Sequence, residues 1–127
     1  MTLEGKQLIG SQAIEAKGEP IHAVNPATGE TLEPGYKAGS KAEVERACEL
    51  AWAAFDSYRE TGLEARATFL ETIAEEIEAL GDALIERAMQ ESGLPQARLE
   101  GERGRTCGQL RLFASVVRAG EWLDVRH

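Results

Sequence analysis

Residues that build metal centres and disulfide frameworks are scarce in this sequence. Its 127 residues include two cysteines, Cys48 and Cys107, and two histidines, His22 and His127. The cysteines are far apart and form no CxxC or CxxxC pair, so we expect neither a metal site nor a disulfide. Isolated cysteines fit a reducing compartment, and we therefore expect the protein to be cytoplasmic.

Long apolar runs and an excess of basic residues are also missing. No window approaches the ~18 apolar residues of a membrane-spanning helix, and Met1–Lys6 lead into no apolar run that would indicate a signal peptide. Acidic residues number 22 against 14 basic ones, which gives a formal net charge of −8. Because such a surface repels phosphate backbones, we expect neither a nucleic acid nor a membrane as a partner.

The first 39 residues are typical of two short β-hairpins. Gly10-Ser11 suits a type II′ turn in the first hairpin, and Asn25–Gly29 predicts a tight reversal in the second. Pro34 and Gly35 indicate that the last strand is irregular or lies at a sheet edge. The four predicted strands are Gln7–Ile9, Gln12–Ile14, Ile21–Val24 and Thr31–Ala38.

From Ser40 onward the apolar residues follow helical spacing, which predicts about four helices over residues 40–127 and an α/β fold class. Ser40 and Glu43 form a capping box at the start of the first helix. Further boundary signals are a second capping box at Thr61 and Glu64, an N-cap at Asp82, a left-handed C-cap at Gly93 and a helix start at Pro95.

The predicted fourth helix carries three glycines on one face, Gly101, Gly104 and Gly108. Each costs about 1 kcal/mol relative to alanine inside a helix, so together they indicate a surface that another backbone approaches closely. That partner is either more of the same polypeptide or another subunit. The alternative is that the helix kinks or stops near Gly104. The opposite, apolar face comprises Leu99, Leu110, Phe113, Ala114 and Val117.

The search for nucleophiles and phosphate loops favours structural roles. Cys48 lies on the apolar stripe of the first helix, where we expect a buried, inert thiol, and we expect a structural role for Cys107 as well. The segment Gly101–Gly104 has only GxxG spacing and no preceding strand, so a phosphate-binding loop is not favoured. Trp52 and Trp122 fall on helical faces and are typical of core or interface residues.

The charged residues are expected to be solvated or paired. Five arginines, which alternate with apolar residues, have the chemistry to bind a carboxylate or a phosphate. We favour salt bridges for them, either with Glu100, Glu102 and Glu121 or with a partner subunit. The arginines are Arg98, Arg103, Arg105, Arg111 and Arg118, and the carboxylates expected on a solvated face are Glu71, Glu75, Glu76 and Glu78.

Several segments together resemble the N-terminal part of an aldehyde dehydrogenase. The N-P-A-T-G-E turn at Asn25–Glu30, the helix with Ala53-Ala54-Phe55 and the segment Glu91–Pro95 follow this family's order. The run Ala97–Thr106, with Gln109–Ala114 after it, is most similar to the branch that acts on α-ketoglutaric semialdehyde (2,5-dioxopentanoate). The resemblance covers essentially the whole chain.

The resemblance implies an aldehyde dehydrogenase-like fold, with residues 1–39 as hairpins and 40–127 as helices of the cofactor-binding domain. It also implies NAD- or NADP-dependent oxidation of an aldehyde to a carboxylate through a cysteine thiohemiacetal. It places the catalytic and cofactor-binding residues outside this chain, and Cys48 and Cys107 match no catalytic position. Some relatives bind a monovalent cation near the Asn25-Pro26 turn, where Val24 and Glu102 would fall, but we assign no metal site.

The implied partners are the remainder of the polypeptide and further copies in a homo-oligomer. We expect the 127 residues alone to be inactive, and Leu123–His127 carry no terminating signal, which suits a fragment. The alternative function is a non-catalytic, acidic helical interaction module. Such a module would close its own core, whereas a fragment would leave large apolar areas exposed. The residues that distinguish the two are Leu70, Ile77, Phe113 and Val117.

Overall fold

The computed structural model describes residues 2–123, which form four strands, four α-helices and a final 3-10 helix, Glu121–Leu123. Predictions made on Met1 and on Asp124–His127 lie outside the described residues. The strands are β1 (Gln7–Ile9), β2 (Gln12–Ile14), β3 (Pro20–Val24) and β4 (Thr31–Lys37). The helices are α1 (Lys41–Arg59), α2 (Leu63–Ala79), α3 (Gly81–Ser92) and α4 (Gln96–Ala119).

The chain divides into two compact units, which are described separately. The first contains the residues up to Glu60 together with Gln90–Gly93. The second contains Thr61–Met89 together with the chain from Leu94 onward. The hairpins and α1 therefore belong to the first unit, and α2 and α4 belong to the second.

Both predicted hairpins of the first unit are confirmed. β1 pairs with β2 and β3 with β4, each pair antiparallel. The turn between β3 and β4 is closed by Asn25, whose carbonyl oxygen accepts from the Gly29 amide at 2.8 Å and whose side-chain oxygen accepts from the Ala27 amide at 3.0 Å. The irregularity predicted near Pro34 is a register shift between Ile21 and Ala23 on the facing strand.

Helix α1 begins at the predicted capping box but buries none of its residues. The Ser40 hydroxyl accepts from the Glu43 amide, and the Glu43 carboxylate accepts from the Ser40 amide at 2.6 Å. The prediction that Cys48 is buried is wrong, because the thiol lies on an uncovered helix face. Trp52 is likewise no core residue, since it is 84% exposed. Helical periodicity identified the apolar face without identifying anything that covers it.

Two predicted caps in the second unit are wrong. Gly62 is the N-cap of α2 and supplies no side-chain bond, so Thr61 does not cap the helix. The carboxylate of Glu64 accepts instead from Arg118 at 2.8 Å, far away in sequence. Asp82 lies inside the first turn of α3, where its negative charge still interacts favourably with the helix dipole.

Helix α4 runs without interruption over 24 residues, so the alternative that it stops near Gly104 is wrong. The signals that precede it are confirmed: α3 ends at Ser92, and Gly93 follows with a φ of +70°. Pro95 is the N-cap of α4, immediately before the first helical residue.

The core of the second unit lies between α2 and α4 and is built from small side chains. Ala67, Ala74 and Ala114 are 0% exposed, and Cys107 is 1% exposed. Small residues allow two helix axes to approach closely, because no long side chain separates the backbones. This close packing positions the polar groups that join the two helices.

Candidate functional site

Cys107 is buried in the contact between α2 and α4. Its Sγ donates to the carbonyl oxygen of Ala74 at 3.6 Å, within the buried helix contact. A thiol enclosed in this way is shielded from any substrate. The predicted structural role of Cys107 is therefore confirmed.

Two arginines of α4 join the helices through ion pairs with carboxylates of α2. Arg118 donates to Glu64 at 2.8 and 3.0 Å and to Glu71 at 3.0 and 2.8 Å. Arg111 donates to Glu78 at 2.7 and 2.6 Å in a bidentate pair. The side chains of Glu71 and Glu78 remain 37% and 46% exposed, so they lie on a solvated face as predicted, but they also form ion pairs that the sequence did not reveal.

The predicted salt-bridge partners along α4 are confirmed only in part. Arg98 pairs with Glu102 at 2.7 Å, four residues along the helix, as expected. Arg103 donates instead to the carbonyl oxygen of Gly81 at 2.8 Å. Arg111 and Arg118 bind acids of α2, which the local sequence pattern does not reveal.

These ion pairs stabilise the ionised carboxyls. Hydrogen bonds from Arg118 hold the pKa of Glu64 and Glu71 below the usual value. Desolvation raises the pKa of both carboxyls by less than these hydrogen bonds lower it, and the positive charge of Arg118 lowers it further. Hydrogen bonds from Arg111 lower the pKa of Glu78 in the same way. Folding of the α2–α4 pair therefore favours the deprotonated form of these three carboxyls.

Acid is expected to loosen the second unit through these pairs. A carboxyl with a depressed pKa in the folded state contributes stability above its unfolded pKa, about 4.3, and this contribution is lost as the pH falls through the folded pKa. Urea unfolding of the chain from about pH 6 to about pH 3 should show that loss, with a smaller slope for Arg118→Met. Arg46→Met is the matched control because Arg46 pairs locally with Glu49, three residues along α1. Identical pH slopes in all three proteins would contradict this linkage.

An open groove of about 450 Å³ lies beside the ion pairs in the second unit. Its apolar lining comes from Leu70 on α2 and from Leu110 and Phe113 on α4. Phe113 is 55% exposed. The polar residues that line the groove are Glu102, Arg105, Thr106 and Gln109.

The three glycines of α4 face open space within the described part of the chain. A Cβ atom added at Gly101, Gly104 or Gly108 would meet no heavy atom within 4 Å outside the local helix backbone. The expected close approach of another backbone is therefore not made by residues 2–123. Further along the same helix, Leu112 is 51% exposed.

Gly101 and Gly104 form no phosphate-binding loop. Gly101–Gly104 lies inside α4, with no strand leading into it, whereas a phosphate-binding loop joins a strand to a helix N-terminus. Among residues 2–123 no group of three histidine, cysteine or acidic side chains is placed to hold a metal ion. Val24 and Glu102 fall in different units, so their suggested cation position stays a prediction.

None of the helices formed within residues 2–123 is both long and apolar enough to cross a bilayer.

Comparisons with known proteins identify what the chain is similar to. The model of the aldehyde dehydrogenase family matches residues 13–124. Alpha-ketoglutaric semialdehyde dehydrogenase 2 of Azospirillum brasilense is 58% identical over 124 residues, which are 97% of this chain and 24% of that protein. Alpha-ketoglutaric semialdehyde dehydrogenase of Acinetobacter baylyi is 41% identical over 122 residues, 96% of this chain and 23% of that protein.

A solved structure shows the same fold. The NAD-dependent benzaldehyde dehydrogenase of Corynebacterium glutamicum superposes with a TM-score of 0.83 at 24% sequence identity. The superposition covers 91% of this chain and 25% of that structure. The chain therefore spans about a quarter of the length of the relatives that it matches.

Proposed function

This chain belongs to the aldehyde dehydrogenase family, and we propose that it forms the N-terminal part of the cofactor-binding domain of an NAD(P)-dependent enzyme. The proposed substrate is α-ketoglutaric semialdehyde, which is oxidised to the carboxylate. The observation that carries this proposal is the similarity, along nearly the whole chain, to two relatives named for that substrate.

The proposed role of most of these residues is architectural. Cys107 is enclosed between helices, and Cys48 matches no catalytic position of the family, so we place the catalytic cysteine outside this chain. The described residues also lack a phosphate-binding loop, and we assign them no contact with the dinucleotide. The 127 residues alone are then inactive.

Uncovered apolar surfaces support a segment that is completed by further protein. The alternative, an independent acidic helical module, predicts a core closed around Leu70, Ile77, Phe113 and Val117. Leu70, Ile77 and Val117 are half-buried. Phe113 is instead 55% exposed, and Trp52 in the first unit is 84% exposed. We propose that the remainder of the polypeptide covers part of these surfaces, and that the enzyme is a cytoplasmic homo-oligomer.

A chimeric enzyme tests the proposed function. This chain would replace the matching segment of the Azospirillum brasilense relative, with which it shares 58% of its residues. We expect the purified chimera to reduce NAD⁺ or NADP⁺ in the presence of α-ketoglutaric semialdehyde, at a rate within about tenfold of the unmodified relative. The 127-residue chain alone should give no turnover.

Either of two results would contradict the proposal. The first is a folded chimera that oxidises no aldehyde. The second is turnover by the 127-residue chain itself, which would place catalytic residues within it. Running both cofactors in parallel also determines which nicotinamide the chimera uses.

A further inference from the structure

Arg105 differs from the other arginines of α4 in having no side-chain partner among the described residues. Within residues 2–123, its side chain makes no hydrogen bond and no ion pair. The other four are held by Glu102 for Arg98, the Gly81 carbonyl oxygen for Arg103, Glu78 for Arg111, and Glu64 with Glu71 for Arg118.

Arg105 lines the groove of about 450 Å³ together with two other side chains that can donate hydrogen bonds, those of Thr106 and Gln109. Gln109 lies four residues along α4, so its side chain and that of Arg105 are neighbours on one helix face. Thr106 also lines the groove. Like Arg105, neither side chain has a hydrogen-bond partner within residues 2–123.

The remaining lining suits the carbon chain of a small molecule. Leu70, Leu110 and Phe113 contribute an apolar surface next to the three donors. Small-molecule sites commonly combine such a surface with a few polar groups, in cavities of roughly 300–1,000 Å³. Glu102 also lines the groove, but its Oε1 accepts from Arg98 at 2.7 Å, which partly offsets its negative charge.

The geometry points to Arg105 as a specificity-determining residue that binds the carboxylate of the semialdehyde substrate. This inference rests on the proposed function. The substrate carries a carboxylate at the end opposite its aldehyde, with two methylene groups between the aldehyde and the keto carbon. A guanidinium donates two parallel hydrogen bonds to a carboxylate, and Gln109 adds a neutral donor beside it. The methylene groups then lie along the leucines and Phe113.

The test compares two aldehydes in the chimeric enzyme described above. Pentanal has the same number of carbons as the semialdehyde but lacks a carboxylate. We expect Arg105→Gln to lower the ratio of kcat/KM for the semialdehyde to kcat/KM for pentanal by about 10- to 100-fold, mostly through KM, because a charge-assisted contact is lost. Arg105→Lys keeps the charge without the bidentate geometry and should recover part of that ratio.

Arg46→Gln is the matched control, because it removes one exposed positive charge from α1 and should leave the ratio unchanged. Inhibition by α-ketoglutarate, the product of the reaction, provides a second readout and should weaken in Arg105→Gln but not in the control. The inference is overturned if Arg105→Gln leaves the ratio of the two kcat/KM values unchanged, whether or not kcat/KM itself falls for both aldehydes. Activity of the unsubstituted chimera reports separately on the proposed function.

Discussion

Replacing Ala74 with leucine is expected to destabilise the second unit by about 2–3 kcal/mol. Ala74 is fully buried, and its carbonyl oxygen receives the Cys107 thiol across the α2–α4 contact. A leucine adds three carbon atoms where no space exists for them, so the two helices must separate. Separation would also lengthen the bonds from Arg118 to Glu64 and Glu71.

Urea unfolding of the chain, followed by circular dichroism, measures this loss. Ala79→Leu is the matched control, because Ala79 lies on the same helix but is exposed, and the chemical change is identical. We expect a change within about 0.5 kcal/mol for the control. Equal effects of the two substitutions would show that α2 and α4 do not pack closely at Ala74.

Replacing Gly93 with alanine should destabilise the first unit by about 2 kcal/mol, through two separate terms. Gly93 has a φ of +70°, which a residue with a Cβ adopts only with strain. The new Cβ would also lie 2.8 Å from Cγ of Pro26, in the turn between β3 and β4. Relief of that contact requires displacement of either the turn or the end of α3.

Gly29→Ala separates the two terms. Gly29 has a similar φ of +76°, but an added Cβ would have no heavy atom within 4 Å. We expect a loss of only about 1 kcal/mol from the backbone conformation alone. Denaturant unfolding of both variants gives the difference, which is the contribution of the Pro26 contact. If the two losses are the same, the crowding at Pro26 contributes nothing.

Predictions from the sequence succeeded where the determining residues are neighbours in the chain. The turn at Asn25 and the capping box at Ser40 each depend on hydrogen bonds within five residues. The carboxylate partners of Arg118 lie 54 and 47 residues away, so no local pattern reveals them. The same distant pairing explains the wrong cap at Thr61, because Glu64 binds Arg118 rather than completing a capping box.

Burial and site membership were harder to predict for a related reason. Apolar spacing in α1 identified the face that carries Cys48, but burial depends on a covering surface that the spacing does not describe. In the sequence, Arg105 was one of the five arginines of the predicted fourth helix, all of which alternate with apolar residues. The partners of the other four distinguish it within residues 2–123. Arg111 and Arg118 bind acids of α2, Arg98 binds Glu102, and Arg103 binds the Gly81 carbonyl oxygen.

The long separation between the two halves of the Arg118 ion pair also affects how the chain folds during synthesis. Glu64 leaves the ribosome 54 residues before Arg118. At roughly 5–20 residues per second, α2 waits about 3–11 s for the helix that covers its buried alanines. During that interval Ala67 and Ala74 of α2 are in contact with water, because the helix that covers them has not yet been completed.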